Sequence, residues 1–217
     1  MLSTNPPNLT RPRSSLVYKF ISYIIVFPIF RILLRGRIDG LENIPLDGPL
    51  IVVANHGSHI DPPILGHALL RPIAFMAKEE LFRIPLIGWI IRQCGAYPVS
   101  RGATDREAIR VATNRLKESW AIGVFLDGTR QDNGRVNEPK AGAALLSTRS
   151  NAPLLPVAII NSHRALGKGL KILRFVPIHL RIGALISPPK SRKKLHLIET
   201  TSEIQRSINS MIDDGCL

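Results

Sequence analysis

The chain has little with which to build a covalent framework: among 217 residues the only cysteines are Cys94, in an apolar stretch, and Cys216, beside the C-terminus. Two such residues make neither a disulfide ladder nor a cysteine metal site, and they suit a reducing compartment. Aromatic residues are scarce, at 6%. That is low for a protein that stacks on bases, and no nucleic-acid-binding motif is present. Acidic residues number 16 against 29 Lys and Arg, a formal charge of +13, and none lies between Glu138 and Glu199. A surplus of this sign calls for an anionic partner; with nucleic acid set aside, the expected partner is an anionic membrane surface.

An uncharged run long enough to cross a bilayer is also missing near the N-terminus. Phe20–Phe30 is bracketed by Lys19 and Arg31, and as a helix it spans about 16 Å against a hydrocarbon core of about 30 Å. Stretching it to Leu16 and Leu34 encloses both charges and Pro28, so the run reads as an interfacial or re-entrant anchor, with a core helix of a soluble domain as the other reading. No small-residue cleavage site follows; Arg31, Arg35 and Arg37 come instead, which argues against a signal peptide. The expected location is membrane-associated, on the cytoplasmic face.

What is present is a chain that is 45% hydrophobic and patterned for one domain plus an appendage. Residues 1–37 read as a basic and apolar membrane-associating segment, and 38–217 as the catalytic domain. Apolar runs at Pro49–Ala54, Ile73–Ala77, Ala96–Val99, Ala121–Leu126 and Leu154–Ile160 read as strands, and Phe175–Ile182 alternates like an edge or sheet-end strand. Between them fall helices at Pro62–Leu70, Pro85–Cys94, Thr104–Trp120 (opened by the capping box Thr104-Asp-Arg-Glu107), Pro139–Leu146 and Glu199–Ile212. The alternation predicts an α/β fold with a mixed central sheet flanked by helices and an N-terminal apolar membrane-associating helix.

The stretch Ile51-Val-Val-Ala-Asn-His-Gly-Ser-His-Ile-Asp-Pro-Pro63 ends a buried strand in groups able to move protons. On a strand-to-helix loop the step from His56 to Asp61 can bring imidazole and carboxylate together; the carboxylate then fixes the tautomer and leaves the other ring nitrogen as a base. Asp61 before two prolines also suits a plain helix cap. A metal site from His56, His59, Asp61 and His67 is a third reading, though no further ligand motif accompanies it.

Other strands deliver cations at their ends: Lys78, then Arg101, then Asp127-Gly-Thr-Arg130. Taken together these blocks resemble the glycerolipid acyltransferase family, most of all its 1-acylglycerol-3-phosphate acyltransferase type. Asn55-His-Gly-Ser-His-Ile-Asp61 is similar to its Asn-His-x4-Asp block, Gly95–Arg101 to the second, Phe125-Leu-Asp-Gly-Thr-Arg130 to the third and Leu155-Pro-Val157 to the fourth, over roughly residues 40–190. The resemblance implies that His56, held by Asp61, is the general base for the free hydroxyl of lysophosphatidate. It further implies that Asn55, Lys78, Arg101, Asp127, Gly128, Thr129 and Arg130 bind substrate, that acyl-CoA or acyl-carrier protein is the co-substrate, and that no metal or other cofactor is used. The product is phosphatidate, in phospholipid biosynthesis. Leu126 and Asp127 replace the proline and glutamate usual in the third block, which bears on acceptor preference. Glycerol 3-phosphate or another lysolipid is the alternative acceptor. A metal-dependent hydrolase and a non-enzymatic basic membrane-binding protein are the alternatives of different class.

Overall fold

The computed structural model describes residues 16–69, 71–99 and 105–215. Its centre is a seven-stranded sheet in the order β1-β7-β6-β2-β5-β3-β4: β1 Arg37–Asp39, β2 Leu50–Ala54, β3 Ile73–Lys78, β4 Tyr97–Val99, β5 Ala121–Phe125, β6 Leu154–Ile160 and β7 His179–Ile182. All neighbours are parallel except β6 and β7. Parallel strands are joined by crossovers that put helices on both faces, and the burial shows it. In β2, Val52 and Ala54 pack into one core layer while Ile51 and Val53 pack into the other. In β6, Leu155, Val157 and Ile159 join the first layer, and Leu154, Ala158 and Ile160 the second.

The first layer is covered by α1 (Leu16–Phe20) with its continuation and by α2 (Asp61–Ala68). α1 runs on through wider π-type turns at Ile21–Val26 and Ile29–Leu33, so Leu16–Leu33 forms one helical segment of 18 residues. It is docked on the domain. Phe30 and Leu34 are fully buried, each contributing about 1.5–3 kcal/mol of apolar burial. Tyr18 donates to the Gly66 carbonyl, and Ser22 Oγ lies 2.9 Å from His67 Nδ1. The outward face stays apolar, with Phe20, Tyr23, Ile24 and Ile32 exposed.

The other layer is covered by α5 (Asp105–Lys117), α6 (Gly142–Ser150) and α8 (Lys194–Asp213), which bring Ala112, Leu116, Leu146, Ile204 and Ile208 onto the sheet. Between β3 and β4 stand α3 (Glu79–Arg83) and α4 (Pro85–Gln93), and α7 (Ser162–Leu166) follows β6.

Several elements depart from the expectations above. β7 is not an edge strand, because β1 pairs along its outer side, Arg37 to Asp39 against His179 to Arg181. Only Ile38 marks β1 as apolar, so three residues carried no readable pattern. β7 also starts late: Pro177 has no N–H to give a ladder, and pairing begins at His179. α6 begins at Gly142 rather than at Pro139, because Lys140 N donates to Leu126 O at 2.8 Å and the Asp127 carboxylate takes the N–H groups of Asn137 and Glu138. α8 begins at Lys194, five residues early, where Ser191 Oγ accepts from Lys193 N and lies 2.8 Å from His196 Nδ1. The expected capping box at Thr104 lies outside the described residues.

Candidate active site

The site is built at the carboxyl ends of β2, β5 and β3, three neighbouring parallel strands. The chain leaving β2 runs on through Ser58, turns at His59 and Ile60, and α2 starts at Asp61. The Asp61 side chain does not cap that helix. It folds back under the loop, where Oδ2 accepts from Gly57 N and Ser58 N, both at 2.8 Å, and lies 2.8 Å from His56 Nδ1. Asp61 is fully buried. A carboxylate so placed fixes Nδ1 as the protonated nitrogen and stabilises imidazolium. His56 Nε2 makes no hydrogen bond among the described residues, and the His56 side chain is 17% exposed. Its ring lies flat on Phe125, centroids 3.9 Å apart and 15° between planes, and Phe125 stacks on Phe75 at 5.8 Å. The imidazole is therefore held by a carboxylate at one edge and an aromatic face beneath, with the opposite edge open.

A glycine in this loop and one in the loop after β5 both face His163 too closely for a side chain. A Cβ on Gly57 would stand 2.8 Å from His163 Cβ, and one on Gly134, at φ +67°, would stand 2.3 Å from His163 Nδ1. The loop after β5 is tied to the first loop by Leu126 N to Ala54 O at 3.0 Å and Gln131 N to His56 O at 2.8 Å. The second of these places Arg130 one residue from a direct backbone contact with His56.

Cations gather around the open edge. Lys78 is exposed at the end of β3, and Arg130 is half-buried after the exposed turn at Gly128 and Thr129. Burial first, then the positive fields of Arg130, His56 and Lys78, push the His59 imidazole below its usual range, with Asp61 opposing. One histidine feeling all three charges places them at the same end of the sheet. Arg101 lies outside the described residues.

Two expected substrate ligands have other work. Asn55 is fully buried, and its amide is consumed by backbone: Nδ2 donates to Gly134 O (2.6 Å) and Ile159 O (2.8 Å), while Oδ1 accepts from Ile159 N (2.7 Å). It clamps β2, β6 and the loop after β5, with both amide N–H groups used and the whole side chain buried. Asp127 is likewise buried and accepts from Glu138 N at 2.7 Å and Asn137 N at 3.3 Å. Burial pushes its carboxyl upward, and those two backbone donors pull it back. Its shorter side chain thus orients the loop that carries Arg130.

The metal reading fails on geometry. His67 turns under the N-terminal helix among the rings of Tyr23, Phe27 and Phe30, and among the described residues no group of three or more His, Cys, Asp or Glu is placed to hold a metal ion. Ser58, two residues on from His56, is engaged elsewhere: its Oγ donates to Leu166 O at 2.7 Å. An imidazole with an open nitrogen, and with Ser58 engaged in this way, is suited to a hydroxyl brought by a substrate. Phe125, Gly57 and the Gly134–His163 contact were not read as functional from sequence. Phe125 alone carried a signal, as the first residue of the third block; in the fold it ends its strand, level with Ala54 on β2.

A family model described as Acyltransferase matches residues 35–160. A 1-acyl-sn-glycerol-3-phosphate acyltransferase of Streptococcus pneumoniae is 31% identical over 160 residues, 72% of this chain and 59% of that protein. The chloroplastic enzyme of that name from Arabidopsis thaliana is 26% identical over 175 residues, 75% of this chain and 48% of the relative. Among solved structures, the 1-acyl-sn-glycerophosphate (LPA) acyltransferase PlsC of Thermotoga maritima superposes with a TM-score of 0.74 at 30% identity, covering 89% of this chain and 80% of that one. The chain spans about half the length of the curated relatives it matches.

Proposed function

This chain belongs to the acyltransferase family, and from that premise we propose that it moves a fatty acyl group from an acyl thioester to the free hydroxyl of 1-acylglycerol 3-phosphate, giving phosphatidate. The observation that carries the reading is the His56–Asp61 pair at 2.8 Å, open at Nε2 beside Lys78 and Arg130. In the reaction His56 Nε2 takes the proton of the acceptor hydroxyl as that oxygen attacks the thioester carbonyl, and Asp61 stabilises the imidazolium. The tetrahedral intermediate collapses by breaking the carbon–sulfur bond, and the imidazolium returns the proton to the departing thiolate. Proton transfer of this kind contributes about 10²- to 10⁴-fold. The thioester already carries the activated acyl group, so the step balances without a metal or redox cofactor.

Lys78 and Arg130 hold the acceptor's phosphate, Arg130 through its planar fork and Lys78 as a point charge, with Gly128, Thr129 and Arg101 as further contacts. The donor is acyl-CoA or acyl-carrier protein, either of which is acidic and suits a chain of charge +13. Residues 1–37 and the basic surface keep the enzyme on an anionic membrane, on its cytoplasmic face, and 38–217 form the acyltransferase domain.

The test is the purified full chain given lysophosphatidate, glycerol 3-phosphate or another lysolipid, with each donor in turn and products identified by mass. Phosphatidate is the expected product. With Arg130→Ala the KM for lysophosphatidate rises about 10- to 100-fold, the value of a lost charge-assisted contact. Transfer to glycerol 3-phosphate alone would reassign the acceptor, and no transfer to any acceptor would remove the reading.

A further inference from the structure

Most exposed large hydrophobic side chains among the described residues lie in two stretches, 16–33 and 76–89. The second stretch is α3 with α4. Phe82 points inward at 7% exposure, and the two helices close so tightly that a Cβ on Gly88 would stand 2.4 Å from the Phe82 carbonyl oxygen. With Gly88 turned inward, several apolar residues of α4 and its N-cap are left outward: Leu86 is 68% exposed, Trp89 51%, Ile84 45% and Ile87 42%, while Ile90 and Ile91 are half-buried. A helix that presents Leu, Ile and Trp to solvent on one face has a missing partner.

Three observations identify the partner as a bilayer. α4 touches α1, so its apolar face adjoins that of the N-terminal helical segment, where Phe20, Tyr23 and Ile24 are exposed. Exposed cations accompany both stretches along the chain: Arg83 and Arg92 with one, Lys19, Arg31 and Arg35 with the other. Arg92 lies over the Phe82 ring at 5.2 Å and its Nη2 donates to the Phe82 carbonyl at 3.4 Å, so this exposed guanidinium is fixed beside the apolar surface. Finally, an exposed Trp and an exposed Tyr on such faces have the amphipathic form favoured at membrane interfaces. The acidic residues here, Glu79 and Glu80, sit in the first turn of α3, and Glu79 is paired with Arg83 at 3.0 Å.

We propose that α3 and α4 form a second bilayer-inserting element, which together with the N-terminal helix seats the mouth of the active site at headgroup depth. Lys78 immediately precedes α3, so a cation of the pocket adjoins the apolar ledge within one helical turn. A single-chain phospholipid can then place its phosphate against the pocket while its chain stays in lipid. This last point rests on the proposed acyl transfer; the insertion itself does not.

The test uses the full chain carrying Trp120→Phe, which leaves Trp89 as its only tryptophan, with phosphatidylcholine–phosphatidylglycerol vesicles. Trp89 emission shifts to the blue and is quenched by bromine-labelled acyl chains. The double substitution Leu86→Glu, Ile87→Glu, on exposed positions, lowers vesicle partitioning about tenfold or more. It lowers turnover of vesicle-embedded lysophosphatidate in parallel, leaving turnover of detergent-dispersed substrate unchanged. Trp89 emission that stays unshifted while the chain co-sediments with vesicles would overturn the proposal. A blue shift without vesicles, accompanied by doubled mass, would assign the face to a second copy and overturn it too. Insertion of Trp89 by a chain that transfers no acyl group would sink the proposed function and leave this inference standing.

Discussion

Asp61 Oδ2 gathers two backbone N–H groups and one imidazole nitrogen, so a single oxygen shapes the loop and orients the imidazole. Asn55, in the same motif, is held by three backbone contacts. Asn55→Ala strands those groups in the interior, and the expected loss is about 3 kcal/mol, or about 6–12 °C in Tm. A raised KM with an unchanged melting curve would instead make Asn55 a substrate ligand. The sequence could place Asn55 in the motif, but the partners that occupy its amide are 79 and 104 residues away along the chain and leave no local pattern.

The histidines give a pH dependence with a definite sign. Burial, then the Arg130, His56 and Lys78 charges, hold the His59 imidazole below its ordinary 6.5; burial and Arg164 do the same to His163, against Asp61. Below pH 6.5 the unfolded chain therefore binds more protons than the folded one, so stability is present above that pH and is lost as pH falls through the lowered folded values. Denaturant unfolding between pH 7 and pH 5 should show this decline. His59→Gln should make it shallower, and an identical slope would contradict the assignment.

At the scale of elements, the loop between β2 and α2 is the precision part. Gly57→Ala pushes a methyl group against His163, whose Cβ is 2.8 Å from the ideal position, and the loop must shift. A displacement of about 1 Å at a base costs about 10²-fold in rate, so kcat should fall by that order with His56 and Asp61 both intact. Unchanged kcat would mean that the loop relaxes without moving the base. The long elements were legible because burial on both sheet faces leaves continuous apolar runs, as in Leu50–Ala54 and Leu154–Ile160. β1, α3 and α7 span three, five and five residues, too short for a period to register. β1 owes its place to pairing with a strand some 140 residues later, and α3 to its packing on α4.

For the whole molecule, charge and apolar surface act together. Most cations between Glu138 and Glu199 are exposed, including Arg164, Lys168, Lys171 and Arg174, whereas Arg181 is drawn to Met211 O at 3.1 Å. Exposed charges are screened as the Debye length shrinks from about 10 Å at 0.1 M salt to about 3 Å at 1 M, while apolar insertion is not. Binding to anionic vesicles should therefore weaken with salt without vanishing. Complete release in co-sedimentation would leave the apolar faces no part in it.

The central claim is that His56, steadied by Asp61, takes the acceptor's proton. Its most direct test is the rate of phosphatidate formation from vesicle-embedded lysophosphatidate and an acyl thioester, compared between the native chain and His56→Ala. The account predicts a fall of about 10³-fold with melting temperature and vesicle binding unchanged, and a variant that still made phosphatidate at near the native rate would contradict it.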